Sequence, residues 1–124
     1  MAVILVVDDD KDIRSSVKTI LEAEAYDVVI AENGREALDL FRDPTFRPAV
    51  MLLDLMMPVM NGWQVLDHIA RDRRLQKIPI ILMSAFFGER FVGDPYTMLI
   101  KPFALDRMLD LVEHHCRTPV DEPS

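Results

Sequence analysis

Apolar residues open the chain as an unbroken block. Ala2 to Val7 reads AVILVV and stops at Asp8. A run without alternation predicts a strand covered on both faces, since a strand with one wet face would alternate. Behind it Ile13, Val17, Ile20 and Leu21 recur at helical spacing, which predicts a helix of about three turns. Tyr26 to Ala31 (YDVVIA) predicts a second strand. Asn33 and Glu36 then stand at capping-box spacing, asparagine replacing the usual Ser or Thr, and Ala37 and Phe41 give the next helix its apolar stripe. Pro48 to Leu55 (PAVMLLDL) predicts the third strand. A Pro/Asn/Gly loop leads from it into a helix carrying Val65, Leu66, Ile69 and Ala70. Ile78 to Ala85 and Tyr96 to Ile100 predict the fourth and fifth strands, and Leu105, Met108, Leu109 and Val112 form the inward stripe of a last helix. Strand and helix alternate throughout, the order that builds a parallel sheet with helices on both faces.

The chain has 124 residues, half of them apolar, with no repeat at any period. That size supports one compact domain with one core. We expect residues 1–117 to form it and residues 118–124 (TPVDEPS), which lose the pattern, to be a flexible tail or a truncated linker. No stretch approaches the roughly 20 apolar residues of a membrane helix, and the first residues move into a strand without a basic leader. The expectation is a soluble, cytoplasmic protein. Cys116 is the single cysteine, which excludes an internal disulfide and fits a reducing compartment. The formal charge of −7 argues against direct nucleic-acid binding, because such a surface repels phosphate backbones. The basic stretch Arg71 to Lys77 (RDRRLQK) falls at the end of a predicted helix, where cations offset the negative dipole end.

The polar residues that remain are concentrated where strands stop. Asp8 and Asp9 follow the first strand, Asp54 lies in the third, Ser84 in the fourth, and Lys101 follows the fifth. In an open α/β sheet that edge is where ligands bind. Two like charges about 4 Å apart repel by roughly 4 kcal/mol at an effective dielectric near 20, so three carboxylates gathered there need a counter-charge. A divalent cation in an all-oxygen site fits, and Mg²⁺ suits it better than a softer metal. Lys101 supplies a second, fixed positive charge. For any one of Asp8, Asp9 and Asp10 taken alone, a helix cap before Ile13 is the better reading. Asp54 does not read so, because it interrupts a strand instead of opening a helix.

The motifs ILVVDDD, LLDLMMPVMNG, ILMSA and IKPF, in that order on successive strand ends, resemble the receiver domain of two-component response regulators over nearly the whole chain. The resemblance implies a flavodoxin-like, doubly wound five-stranded parallel sheet. It implies phosphorylation-controlled signalling. Asp54 would be the acceptor of a phosphoryl group from a sensor histidine kinase or histidine phosphotransfer protein. Mg²⁺ would be bound by Asp9 directly, by Asp8 largely through water, by Asp54 and by the backbone carbonyl of Met56. Ser84 would move toward the phosphoryl oxygens and Lys101 would pair with them, the Lys101–Pro102 peptide being cis. The activity would be regulatory, limited to self-phosphotransfer and slow self-dephosphorylation. A downstream output protein or fused output domain would read the state, and a homodimer is compatible with the family.

Several positions depart from the family pattern. The connection between Ser84 and Lys101 is at least one helical turn short, and Gly88, Gly93 and Pro95 interrupt it, so the fourth helix is expected to be short, shifted or absent. Phe86, Phe87 and Phe91 there read as core filler or as an aromatic contact surface. The position three before Lys101, often Tyr or Phe in the family, is Met98, and Tyr96 does not inherit its role. Met56 and Phe86 occupy the two positions that tune phosphoryl lifetime, and this apolar pair predicts slow loss of the group. Trp63 reads as partial core close to the site. His68, His114 and His115 show no metal-ligand spacing, and the last two suit a helix C-terminus. Two other classes remain open on sequence grounds. A phosphorylation-independent interaction scaffold would keep the fold and signal by contact alone. A Mg²⁺-dependent phosphohydrolase would normally want a second acid where Met56 stands.

Overall fold

The computed structural model describes residues 2–85 and 97–117. Its strands are β1 (Val3–Val7), β2 (Asp27–Ala31), β3 (Val50–Asp54), β4 (Ile80–Ser84) and β5 (Thr97–Ile100). The helices are α1 (Lys11–Ala23), α2 (Gly34–Leu40), α3 (Gly62–Ala70), α4 (Arg73–Gln76) and α5 (Leu105–Arg117). All strand pairs are parallel, as the alternation anticipated, and the order is β2-β1-β3-β4-β5, the doubly wound sheet that the resemblance implied. The short α4 was not anticipated. The expected irregularity between Ser84 and Lys101, with Phe86, Phe87, Phe91 and Tyr96, lies outside the described residues, as do residues 118–124.

The unbroken apolar strands are explained by two cores. Successive side chains of a strand point to opposite faces, so Leu5, Val7, Met51, Leu53 and Leu82 pack with Ala37 of α2, Phe41 at its C-cap, and Val65 and Ile69 of α3. Their alternates Ile4, Val6, Leu52, Ile81 and Met83 pack with Val17, Leu21, Met108 and Val112 of α1 and α5. Within the expected last stripe, Met108 and Val112 are fully buried while Leu105 is at the exposed margin.

Helix caps settle several local alternatives. Asp10 caps α1, its carboxylate accepting from the N–H groups of Asp12 (2.9 Å) and Ile13 (3.3 Å). Asp8 and Asp9 are thereby released from that role. The Asn33–Glu36 box is only half realised: Asn33 accepts from the Glu36 N–H, but Glu36 accepts from the N–H of Glu32, not of Asn33. The reciprocal box is instead Asn61 with Gln64 at the start of α3. The basic stretch lies at helix ends as expected, with Arg71 at the C-cap of α3 and Arg73 and Arg74 in the last turn of α4, and one of its members does more. Arg74 leaves its own helix and donates to the carbonyl of Phe41 at 2.7 Å, capping the C-terminus of α2 across a tertiary contact.

Candidate phosphoacceptor and metal site

The strand order reverses between β1 and β3: from β1 the chain leaves to β2 on one side, then returns to β3 on the other. The two adjacent loops must diverge, and a crevice opens at the carboxyl ends of these strands. Val7 and Leu53 are register partners, so the next residues, Asp8 and Asp54, emerge side by side. Both are buried. Asp9 is exposed on the rim. One ligand oxygen from each of Asp8, Asp9 and Asp54 lies within 4.8 Å of the others, the one such His/Cys/Asp/Glu group among the described residues. His68, His114 and His115 form no such group there.

Lys101 is carried to the same crevice by β5. Its N–H donates to the Ser84 carbonyl at 2.8 Å, which continues the β4–β5 register one residue past Ser84 and Ile100. The ammonium then reaches Asp8 Oδ2 at 2.8 Å and Asp54 Oδ2 at 3.2 Å. Ser84 is buried at the end of β4, one residue beyond Met83, the register partner of Asp54. The Lys101–Pro102 peptide is cis. Met56 donates its N–H to Asp54 Oδ1 at 3.1 Å and turns its side chain outward, 61% exposed. Beyond it, the N–H of Met60 donates to the Pro58 carbonyl at 2.7 Å around Val59, whose φ is 66°. That is a three-residue turn with a β-branched residue in the left-handed region, a strained conformation on the rim.

One ammonium is shared between Asp8 and Asp54, and the balance shows in the ionisation of Asp54. Burial, then the negative charge of Asp8, push its carboxyl from 3.8 up to about 7. The Met56 N–H and Lys101 act in the opposite direction and are outweighed. Burial likewise opposes the Lys101 ammonium, yet the hydrogen bond from it to Asp8 and the charges of Asp54 and Asp8 win, raising it above 10.5. At a separation of 4.8 Å two carboxylates repel by about 3.5 kcal/mol at an effective dielectric near 20. The pocket is therefore short of positive charge. A hard donor set of carboxylate oxygens with one exposed member fits Mg²⁺, which keeps part of its water shell.

All five side chains picked from the sequence, Asp8, Asp9, Asp54, Ser84 and Lys101, are brought to one edge of the sheet. Arg14 was missed. It lies on the inward stripe of α1, a turn before Val17, and is only 8% exposed. A charge on an otherwise apolar stripe was the available signal. Trp63 packs against the α2/α3 core, as expected, and Met98 is half-buried against the same core. The Cys116 thiol is raised by burial, consistent with an inert cysteine. No helix among the described residues is long and apolar enough to cross a membrane.

The family model for the response regulator receiver domain matches residues 4–113. Protein PilG of Pseudomonas aeruginosa is 33% identical over 98% of this chain and 93% of its own length. Response regulator MprA of Mycolicibacterium vanbaalenii is 39% identical over 86% of this chain but 46% of its own, so the chain spans about half the length of that relative. Among solved structures, the response regulator TrrA of Thermotoga maritima, in complex with Mg²⁺-BeF, superposes with a TM-score of 0.77 at 31% identity, covering 93% of this chain and 99% of that one.

Proposed function

The chain belongs to the response regulator receiver domain family, and from that premise we propose that Asp54 is its phosphoacceptor, supplied by the phosphohistidine of a sensor kinase or histidine phosphotransfer protein. The family typically takes phosphate on aspartate with Mg²⁺. The observation that carries the assignment is Asp54 itself: a buried carboxylate ending a central strand, with the Lys101 ammonium at 3.2 Å.

A carboxylate oxygen of Asp54 forms the new bond to phosphorus as the P–N bond breaks, and the departing imidazole nitrogen takes a proton. Transfer of this kind asks the protein for positioning and for positive charge against the equatorial oxygens. β3 holds Asp54 rigidly, so little freedom is lost on reaching the reactive geometry. Lys101 meets one phosphoryl oxygen, and the Ser84 hydroxyl donates to another. Asp8, Asp9, Asp54 and the Met56 carbonyl would hold Mg²⁺, which supplies Lewis-acid stabilisation of the phosphoryl charge. Asp54 would be held as the carboxylate there, because a nearby cation favours the charged form. The acyl phosphate and its interaction with Ser84 then bias the surrounding loops between two packings that a cytoplasmic output partner or fused output domain distinguishes. The chemistry is regulatory, without turnover of an external substrate.

The test is incubation with acetyl phosphate and Mg²⁺, followed by intact-mass measurement of the native protein and of Asp54→Asn. A phosphate-sized adduct present in the native protein and lost in the variant is expected. No adduct would favour a contact-only scaffold, and steady release of phosphate from esters would favour a hydrolase.

A further inference from the structure

Arg14 occupies a place in α1 that fold stability alone does not explain. A cation in the first turn opposes the helix dipole. The position faces the core with Val17 and Leu21, where Leu or Met would serve, and the Arg14 Nε is buried without a hydrogen-bond partner among the described residues. What the side chain does make are two contacts at the site. Nη1 donates to the backbone carbonyl of Asp8 at 2.8 Å, and Nη2 reaches Glu32 Oε1 at 3.4 Å. The Asp8 N–H donates to the Ala31 carbonyl at 3.2 Å, and its carboxylate accepts from the Asp10 N–H at 2.9 Å and from Lys101 at 2.8 Å. Asp8 is thus held at its N–H, its carbonyl and both carboxylate oxygens. The carbonyl contact is the one that fixes the peptide joining Asp8 to Asp9.

We propose that Arg14 is a positioning residue for the metal site: by gripping the Asp8 carbonyl, with Glu32 steadying the guanidinium, it sets the peptide that aims the Asp8 and Asp9 carboxylates at one point. The proposal rests on the Mg²⁺ reading above. Groups that orient ligands from behind matter to affinity because a metal site depends on where its ligands are before the ion arrives. The role differs from that of a counter-charge, and the two have opposite signs. A cation that merely neutralised the pocket would repel Mg²⁺, and its removal would tighten binding.

The experiment is calorimetric titration of Mg²⁺ alone into the native protein, Arg14→Lys, Arg14→Met and Glu32→Gln. Urea unfolding of each confirms the fold, and phosphorylation by acetyl phosphate is measured at saturating Mg²⁺. Lysine keeps the charge but has no fork to span the Asp8 carbonyl and Glu32. Both Arg14 variants are expected to bind Mg²⁺ about tenfold more weakly, with phosphorylation at saturating Mg²⁺ within about twofold of native, since the misplaced acids are restored by the bound ion. Glu32→Gln alters only an exposed group, remains folded whatever the buried changes do, and is expected to weaken binding by about twofold. Native affinity in Arg14→Lys together with Glu32→Gln, or tighter binding in Arg14→Met, overturns the proposal. Absence of saturable binding by the native protein is a separate result that removes the Mg²⁺ reading and this inference with it.

Discussion

Replacing Asp54 with asparagine is expected to make the metal-free protein more stable. The native carboxyl is pushed from 3.8 to about 7 by burial and by Asp8. At roughly 1.4 kcal/mol per pKa unit, ionising it in the folded state costs up to about 4 kcal/mol, a ceiling that water penetration and side-chain relaxation reduce to around 2 kcal/mol. The asparagine side chain would be uncharged, would still accept from the Met56 N–H, and would leave Lys101 its shorter contact with Asp8. The sign follows from linkage. The folded state holds the Asp54 proton to higher pH than the unfolded state does, so native stability falls as pH rises from near 4 through about 7. This is the reverse of the usual salt-bridged aspartate. Urea unfolding in EDTA should therefore show Asp54→Asn with a midpoint roughly 1.5 M above native at pH 8, and a smaller gap at pH 5 that closes towards pH 4. Mg²⁺ should stabilise the native protein more than the variant and narrow the difference, because a ligand bound by the folded state alone shifts unfolding by mass action. A variant no more stable than native at pH 8 without metal, or a gap indifferent to pH, would refute the claim that Asp54 is electrostatically frustrated.

Four further outcomes are expected. Val59→Gly should raise stability by about 1 kcal/mol, because glycine adopts a φ of 66° without strain and Val59 is exposed; an unchanged or lower urea midpoint contradicts this. Gly34→Ala should destabilise by about 1–3 kcal/mol, since a Cβ there would collide with Val65 Cγ2 and lie 2.7 Å from the Met60 carbonyl oxygen; native stability in that variant would show the α2–loop contact to be slack. Trp63 emission should change over a Mg²⁺ titration that calorimetry shows to be saturating, and a flat signal rejects it as a reporter. The phosphorylated protein, freed of donor, should keep its acyl phosphate for minutes, because neither Met56 nor Phe86 can orient an attacking water; decay within seconds rules that out.

Much of the site was legible before any coordinates because its residues break rules that the rest of the chain obeys. Asp54 interrupts a strand, and Asp8 ends one, so each stood out against an apolar run. Strand alternation then placed them on one edge, since parallel strands all present their carboxyl ends to the same side. Arg14 was less visible. Helical spacing put it on the inward stripe, but only its actual contacts with the Asp8 carbonyl and Glu32 distinguish a working arginine from a long side chain that snorkels to water. The capping residues were legible in kind but not in pairing. Asn33 and Glu36 have the right spacing, yet the Glu36 carboxylate went one residue further back, to Glu32. Arg74 sits at its own helix end as the spacing suggested, but its further service to the end of α2 was not legible.

The sequence by itself determined the alternation of the five strands with the longer helices, which apolar stripes face inward, and which five side chains gather at one edge of the sheet, because local periodicity and strand-end polarity are properties of neighbouring residues. Only the tertiary structure decided that one ammonium is shared between Asp8 and Asp54, that Asp54 is consequently hard to ionise, and that Asp10 alone takes the capping role. Those outcomes depend on distances between residues as far apart as Asp8 and Lys101, and on how far burial strips water from each group. Neither quantity is written in any local stretch of the chain.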